Sequence, residues 1–311
     1  MKQTIFIISI FIFSMQGGIA QMPDDAFMMS KRELCLVAAY GQTTWSQYWE
    51  GNRKRSNANV GKFTSKMYMP MLGYGITDQL NIYASLPFID NSSNAGNITG
   101  KKGWQDAAVS AKYLLFGKTK KRWMYSGFGS AGLSIPAGNY TPDFLPYSIG
   151  VGSRTAQIRL VLDATFKEAF YFTAQTGYVA RSKSNLARST YYTDRQYYSN
   201  QMAVPDILDG SVRLGFDHSR FRAEVKYAFS SCITGIDIRL NDMPLPNNKM
   251  KMQSIGFHSL LWVPGVKGLG INTTIDKVIE GRNVGEALGW AGGIQYIFTP
   301  FKTKKDVSTK K

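Results

Sequence analysis

The sequence predicts an all-β fold, a transmembrane antiparallel up-and-down β-barrel of about twelve strands. Two rhythms between residues 66 and 298 support this fold class. Apolar and polar side chains alternate in stretches of about 10 to 14 residues, and the connections between stretches alternate between short and long. A strand with lipid on one face and a lumen on the other needs that alternation, and a closed barrel leaves no backbone group unpaired in hydrocarbon.

The strand at 154–166 shows the alternation most clearly, with Ile158 and Leu160 on one face and Arg159 and Asp163 on the other. The other predicted strands are 33–42, 66–76, 79–88, 104–116, 123–135, 169–181, 206–217, 220–231, 249–263, 268–279 and 286–298. An even number of strands places both termini on the same side of the membrane, as in bacterial single-chain barrels.

The connections predict which rim faces which compartment. Short turns, such as 77–78, 117–122 and 167–168, are expected in the periplasm, and the long loops are expected outside the cell. The long connections are 43–63, 89–103, 136–153, 182–205 and 232–248. Pro87 and Pro136 stand where a strand enters a long loop, and proline stops a ladder by removing a donor.

Aromatic side chains flank the short turns. Because such side chains favour the membrane–water interface, they predict a girdle at one depth of the barrel. The flanking residues are Phe116, Trp123, Phe166, Phe170, Phe216 and Phe221.

The first twenty residues have the pattern of a signal peptide. Lys2 gives a positive start, residues 5–14 form an apolar run, and Gly18 and Ala20 supply small residues for cleavage. The run is shorter than the roughly 20 apolar residues that a membrane-spanning helix needs. Residue 21 is Gln rather than Cys, which argues against a lipoprotein anchor. We therefore expect export to the outer membrane and a mature chain that begins at Gln21.

The formal net charge of +16 is scattered through turns, loops, polar strand faces and the tail 302–311. A nucleic-acid reader concentrates its charge in a patch or helix, so acidic lipid headgroups and anionic solutes are the expected partners instead. Cys35 and Cys232 leave two alternatives open, either one disulfide or two unpaired buried thiols.

Charged residues of both signs lie on the polar strand faces, and we assign them to the lumen. They either form ion pairs that stiffen the wall or line a path that selects solutes. This lumen set is Asp106, Lys112, Arg159, Asp163, Asp209, Arg213, Arg222, Glu224 and Lys226. The lead at 21–32, with Phe27, Met28 and Met29, is either a plug inside the lumen or a disordered periplasmic segment.

Residues for catalysis or metal binding are scarce. The two histidines are His218, in a short turn, and His258, whose neighbour Ser259 points to the opposite face of its strand. Neither histidine makes the nucleophile–base pair of a hydrolase. The sequence also shows no His/Cys cluster, calcium loop or phosphate loop. We predict a protein that is not an enzyme and has no catalytic residues, cofactor, metal or nucleic-acid partner.

Three motifs in one part of the chain resemble those of a known family. They are Leu86-Pro87-Phe88, then Gly103-Trp104-Gln105-Asp106 with Lys112-Tyr113, and then Ile135-Pro136-Ala137-Gly138. The chain resembles the outer-membrane transporter family named after the phenol meta-cleavage degradation pathway. The resemblance implies a barrel that passes hydrophobic compounds, with Asp106 and Lys112 in the lumen, and it implies no particular substrate.

The expected function is passive diffusion of small solutes, hydrophobic ones included, through an outer-membrane channel. Two alternatives stay open: a surface interaction barrel that binds through its Tyr-rich loop 189–198, and a lipid-acting enzyme. The expected layout is a signal peptide at 1–20, the lead at 21–32, the barrel at 33–299 and a basic tail at 300–311. Outer-membrane lipid and small solutes are the expected partners, and the oligomeric state stays open.

Overall fold

The computed structural model describes residues 22–56, 60–97, 100–238 and 244–300. The predicted signal peptide and most of the basic tail lie outside these residues. Within them, no helix is both long and apolar enough to span a membrane. The main feature is a single closed antiparallel barrel of twelve strands.

The twelve strands follow one another around the barrel in chain order. They are β1 (Leu34–Trp45), β2 (Phe63–Gly75), β3 (Leu80–Ser85 with Phe88–Ser93), β4 (Lys102–Trp104 with Asp106–Lys120), β5 (Trp123–Pro136), β6 (Thr155–Phe166), β7 (Phe170–Arg181), β8 (Ile207–Asp217), β9 (Phe221–Cys232), β10 (Lys251–Trp262), β11 (Leu269–Arg282) and β12 (Leu288–Phe298). β1 pairs with β2 on one side and with β12 on the other, from Leu34 opposite Phe298 to Thr44 opposite Leu288. This pairing closes the sheet, so neither terminal strand keeps an open edge in lipid.

The two faces of the wall are the reverse of those of a soluble protein. Leu214 and Ile158 are 65% and 63% exposed on the outer face, whereas Lys112 and Asp209 are 0% exposed on the inner face. Apolar side chains exposed on one face and charged side chains buried on the other are what a lipid-embedded barrel requires. The alternation in the sequence therefore records lipid on one side and a packed lumen on the other.

Two expectations about strand ends are corrected by the pairing. β4 runs on through residues 117–120, so the turn to β5 consists of Lys121 and Arg122 alone. A β-bulge at Leu115 shifts the alternation by one residue, and this phase change conceals the end of the strand in the sequence.

Pro87 interrupts β3 but does not end it. Residues 88–93 continue the pairing with β2 in the same register as residues 81–85, with Tyr68 opposite Phe88 and Met71 opposite Ser85. A proline removes a single donor, and the ladder resumes beyond it. Pro136 is the last residue of β5, as expected.

The aromatic residues beside the short turns contact one another across hairpins. The rings of Trp123 and Phe166 lie 4.9 Å apart, those of Phe170 and Phe216 4.8 Å apart, and those of Phe216 and Phe221 5.6 Å apart. β5 to β9 thus carry a belt of aromatic residues near the short-turn rim, which is the position predicted for the interfacial girdle.

Candidate functional site

The lumen holds a segment of the chain itself. The N-terminal segment (residues 22–33) makes contacts with β1, β2, β3, β4, β7, β8 and β9, which surround it. It leaves the lumen at the short-turn rim, where Lys31 N donates to Asp78 Oδ1 and Arg32 N donates to Gly75 O. Segment and wall together form the candidate site.

Lys112 of β4 is the main anchor of the N-terminal segment. Its ammonium group donates to Met22 O at 2.7 Å, to Phe27 O at 2.6 Å and to Asp25 Oδ1 at 2.7 Å. These acceptors use all three ammonium protons. The ammonium also lies 5.5 Å from the ring centroid of Tyr83. Because Lys112 is fully buried, its charge depends on these acceptors for compensation.

Arg213 of β8 holds the segment at a second point. Its Nη2 lies 2.5 Å from Asp24 Oδ2, and its Nη1 lies 3.9 Å from Glu224 Oε1 on β9. Burial alone would raise the pKa of Asp24, but the positive charges of Arg213, Arg159 and Lys226 outweigh burial and hold that pKa below its ordinary value. Asp24 therefore binds the wall as a carboxylate at neutral pH.

Phe27 and Met29 fill the space between these anchors. The guanidinium carbon of Arg222 lies 3.2 Å from the Phe27 ring centroid, and the ring of Tyr171 meets Phe27 edge-on at 5.5 Å. Met29 is fully buried in a cluster with Cys35, Val37, Met69, Met71 and Tyr83.

The amide of Asn81 fixes the Met29 backbone from β3. In the orientation that satisfies its hydrogen bonds, its oxygen accepts from Met29 N at 2.7 Å and its nitrogen donates to Met29 O at 3.2 Å. The segment is therefore held through its backbone as well as through its side chains.

Other ion pairs join one wall strand to another. Arg159 of β6 donates to both carboxylate oxygens of Asp209 on β8, at 2.5 and 2.9 Å, and Lys226 lies 3.4 Å from Asp276. Tyr171 donates to Glu224 Oε2 at 2.6 Å. These contacts connect wall strands and do not involve the N-terminal segment.

A different segment packs against the wall at the long-loop end of the lumen. Residues 137–154, here the mouth loop, place Tyr147 edge-on against Phe63 at 5.9 Å, and Trp45 stacks on Phe63 at 5.2 Å. Asn91 of β3 donates to Tyr147 O and Ser148 O. Asp143 accepts from Ala187 N at 2.7 Å and also pairs with Arg188, which ties the mouth loop to the loop after β7. Tyr147 is 1% exposed, so its own packing is tight.

The structure places the nine charged lumen residues on buried or half-buried positions of the inner face. Asp106 lies near the long-loop end, where Tyr140 donates to it, and Asp163 accepts from Thr173 and Thr165. Arg159, Asp209, Glu224 and Lys226 make the wall contacts described above. Lys112, Arg213 and Arg222 contact the N-terminal segment. Met28 is half-buried, between Phe27 and Met29.

Sequence reasoning missed several residues of the site. Asp24 and Asp25 are the carboxylates that hold the segment, and Asn81, His258 and Asp276 also lie on the inner wall. The sequence did contain one signal for them: Asp24 and Asp25 are adjacent acids in the lead, and the polar strand faces carry basic residues that could bind them. His258 and Asp276 were harder to find because small residues such as Gly256 interrupt the alternation of their strands.

The site offers little chemistry beyond binding. His258 Nδ1 lies 3.5 Å from Glu224 Oε1 on the buried wall. In the part of the chain that the structure describes, no three His, Cys, Asp or Glu residues are grouped as metal ligands. Cys35 and Cys232 are free and buried, which favours the second of the two alternatives for the thiols.

The fold is similar to that of solved outer-membrane barrels. The COG4313 outer membrane channel from Pseudomonas putida F1 has a TM-score of 0.67 at 12% sequence identity, covering 87% of this chain and 96% of that chain. The translocator domain of the autotransporter NalP from Neisseria meningitidis has a TM-score of 0.47 at 10% identity, with 88% and 90% of the two chains covered. The TodX deltaS2S3 mutant monoaromatic hydrocarbon channel has a TM-score of 0.45 at 10% identity, with 87% and 91% covered.

The similarity to the COG4313 channel confirms the predicted fold class, a closed outer-membrane-type barrel of twelve antiparallel strands. The other two scores are too low to support an argument. No protein-family model and no curated protein matches the chain. The resemblance to the phenol-pathway family, and the expectation that the protein is not an enzyme, therefore stay predictions.

Proposed function

We propose that the protein is an outer-membrane channel for passive diffusion of small apolar solutes, and that its N-terminal segment is the plug. The observation that carries the proposal is the burial of Lys112 against three oxygen acceptors of that segment. The ammonium group of Lys112 is 0% exposed, and its charge is compensated only while the segment lies in the lumen.

The width of the barrel supports this function. About eight strands give an interior that side chains can fill, and 16 to 18 give an open aqueous pore. Twelve strands leave room that the wall of this barrel does not fill alone, and the N-terminal segment occupies that room. Solute passage then requires the segment to move, and diffusion down a gradient requires no other energy source.

The surface under Met29 supports an apolar solute. If the segment moves, Cys35, Val37, Met69 and Met71 become an apolar lumen wall, with Tyr83 beside them. Met29 occupies that surface as an apolar solute would, since burial of either removes similar area from water. The ammonium group of Lys112 lies beside this surface, 5.5 Å from the ring centroid of Tyr83, and would face a polar end of the solute.

Solute flux into liposomes tests the proposal. The wild type is compared with a variant in which residues 22–29 are replaced by an equally long Gly/Ser stretch, so that export and strand β1 are unchanged. We expect faster entry of small apolar solutes in the variant than in the wild type, and a smaller gain for sugars. Equal flux of every solute in both proteins, at equal protein content, would reject the plug, and no flux in either would reject the channel.

The proposal includes a location and an orientation. The barrel lies in the outer membrane with its short turns and both termini in the periplasm, after cleavage before Gln21. N-terminal sequencing of the mature protein tests the cleavage. Protease added to intact cells is expected to cut the long loops and to spare the short turns.

A second function, surface binding, is favoured by the loop after β7. Tyr191 and Tyr197 stack at 5.0 Å in a small hairpin, the guanidinium of Arg195 lies 5.0 Å from the Tyr197 ring, and Tyr198 is 86% exposed. An ordered cluster of tyrosine and arginine suits a recognition surface. Deletion of residues 189–198 separates the two functions. If this loop is the binding site, the deletion should abolish a partner interaction and leave solute flux unchanged.

A further inference from the structure

The short-turn rim gathers basic charge in one sector. The β4–β5 and β6–β7 turns are neighbours, because Lys167 N donates to Arg122 O at 2.8 Å. Five exposed basic side chains lie in these two turns and at the adjoining end of β4, and we call them the basic sector. They are Lys118, Lys120, Lys121, Arg122 and Lys167. Among the described residues, no carboxylate forms an ion pair with any of them.

The β-bulge at Leu115 directs two of these lysines toward lipid. Without it, Lys118 and Lys120 would share the inner face with Lys112, since all three are an even number of residues apart. With the extra residue, Lys118 pairs with Tyr125 and Lys120 pairs with Trp123, whose side chains are exposed on the outer face. A bulge is a known means of re-aiming side chains.

Three positions in the two turns have a left-handed backbone. Lys121, Lys167 and Glu168 have φ of 57°, 51° and 57°, in the region that favours glycine and asparagine. Because Glu168 shares this conformation with the two lysines, the backbone does not select for positive charge, and the basic sector is defined by its five side chains.

The other short turns lack this arrangement. The β2–β3 turn carries Asp78, and Asp217 at the β8–β9 turn pairs with Arg222. The β8–β9 turn has one basic residue of its own, Arg220, and the β10–β11 turn has one, Lys267. The basic sector is therefore a local feature and not a property of the whole rim.

We propose that the basic sector binds the headgroup of an anionic phospholipid, of the phosphatidylglycerol or cardiolipin class, in the inner leaflet of the outer membrane. Trp123 and Tyr125 contact the glycerol and upper acyl region, and the lysines beyond them face the phosphate. Basic residues at this depth attract anionic lipid, and aromatic residues hold the interface level. The inference rests on the periplasmic position of the short turns given under the proposed function.

The test measures which lipid contacts Trp123. The barrel is reconstituted in phosphatidylcholine with either brominated phosphatidylglycerol or brominated phosphatidylcholine, and the Trp123 signal is the difference from Trp123→Phe. We expect quenching to show at least a tenfold preference for phosphatidylglycerol in the wild type, since each basic residue contributes about fivefold. Excess inorganic phosphate should leave that preference in place, because the site takes a lipid and not a free anion.

Matched variants decide whether the basic sector is responsible. The variant K118Q/K120Q/K121N/K167N should lose the preference, and its asparagines suit the left-handed positions, so folding is not at risk. The control R53Q/K62Q/K102Q/K183Q removes the same charge from the long-loop rim and should keep it. A charge-retaining variant with arginine at the four short-turn positions should keep it as well.

Three results would overturn the inference. They are equal quenching by both lipids in the wild type, an unchanged preference for phosphatidylglycerol in the four-residue variant, and loss of that preference when excess inorganic phosphate is added. Equal quenching would leave an acidic protein as the better partner for the basic sector. Solute flux is measured in the same vesicles and should be the same for all of these variants. Failure of lipid binding is thus distinguishable from failure of the channel proposal.

Discussion

At the short-turn end of the lumen, the N-terminal segment is held mainly by charge, through Lys112 and Arg213. At the long-loop end, the mouth loop is held mainly by aromatic packing around Tyr147, with Asn91 fixing its backbone. Both sets of contacts are buried, but they respond to different changes. A charged contact weakens when one charge is removed or titrated, whereas aromatic packing is nearly indifferent to charge. On this comparison we propose that the N-terminal segment is the part that moves to open the lumen, while the mouth loop keeps its packing.

The largest effect is expected from Lys112→Met. Removing one partner of a buried ion pair costs about 3 to 5 kcal/mol, because the other charge stays buried without compensation. Asp25 and the two carbonyl groups of the segment would be left in that position, so the segment should leave the lumen. The readout is labelling of Cys35 by a small thiol reagent in a Cys232→Ser background, since Met29 covers Cys35 in the closed barrel.

Lys226→Met is the matched control for Lys112→Met. It removes a buried lysine whose partner, Asp276, belongs to the wall, and which acts on the segment only through the charge that it places near Asp24. We expect lower thermal stability of the barrel with Cys35 still protected. Equal labelling of Cys35 in both variants would show that loss of barrel stability, and not release of the segment, exposes the thiol.

Tyr147→Ala should disrupt the other end. Loss of a buried aromatic side chain typically costs about 3 to 5 kcal/mol, here concentrated in the mouth loop. We expect protease to cut residues 137–154 faster while Cys35 stays protected. Tyr198→Ala, at a ring that is 86% exposed, should change neither rate. Exposure of Cys35 by Tyr147→Ala would mean that the mouth loop and the N-terminal segment are coupled and that the comparison fails.

Asp24→Asn should have a smaller effect than Lys112→Met. The hydrogen bond between opposite charges is worth about 1.5 to 3 kcal/mol, and Arg213 keeps Glu224 as a second partner at 3.9 Å. Partial labelling of Cys35, between the wild type and Lys112→Met, is the expected result. Labelling as fast as in Lys112→Met would place the main anchor at Arg213 instead.

Lowering the pH should weaken the contact between Asp24 and Arg213, and this is the smallest of the expected effects. The pKa of Asp24 is lowered in the closed barrel, so its contribution is complete above the ordinary value of 3.8 and is lost as the pH falls through the lower value. Loss of the contribution of Asp24 should therefore raise channel conductance only as the pH falls below 3.8 and through its lowered pKa. Asp24→Asn removes the carboxyl group and should remove this step, whereas a step of the same size in the variant would assign it to another group.

The sequence was sufficient for the barrel and for the faces of its strands. A strand with lipid on one face and the lumen on the other keeps its period-two alternation. Lys112, Arg159 and Arg213 could therefore be assigned to the inner face from the sequence. The partners of these residues could not be assigned. The sequence around Asp24 and Asp25 does not indicate which strand they contact, and the sequence of the mouth loop does not indicate that Tyr147 is buried. The bulge at Leu115 was also hidden, because one inserted residue changes the phase of a strand without changing its composition.

Single-channel recording in planar bilayers tests the central claim most directly. The wild type is compared with the variant in which Gly/Ser residues replace 22–29, under the same salt and voltage. If the N-terminal segment closes the lumen, the wild type should show small or no steps and the variant should show clearly larger ones. Steps of equal size in the two proteins would contradict the claim, since a segment that blocks nothing cannot be a plug.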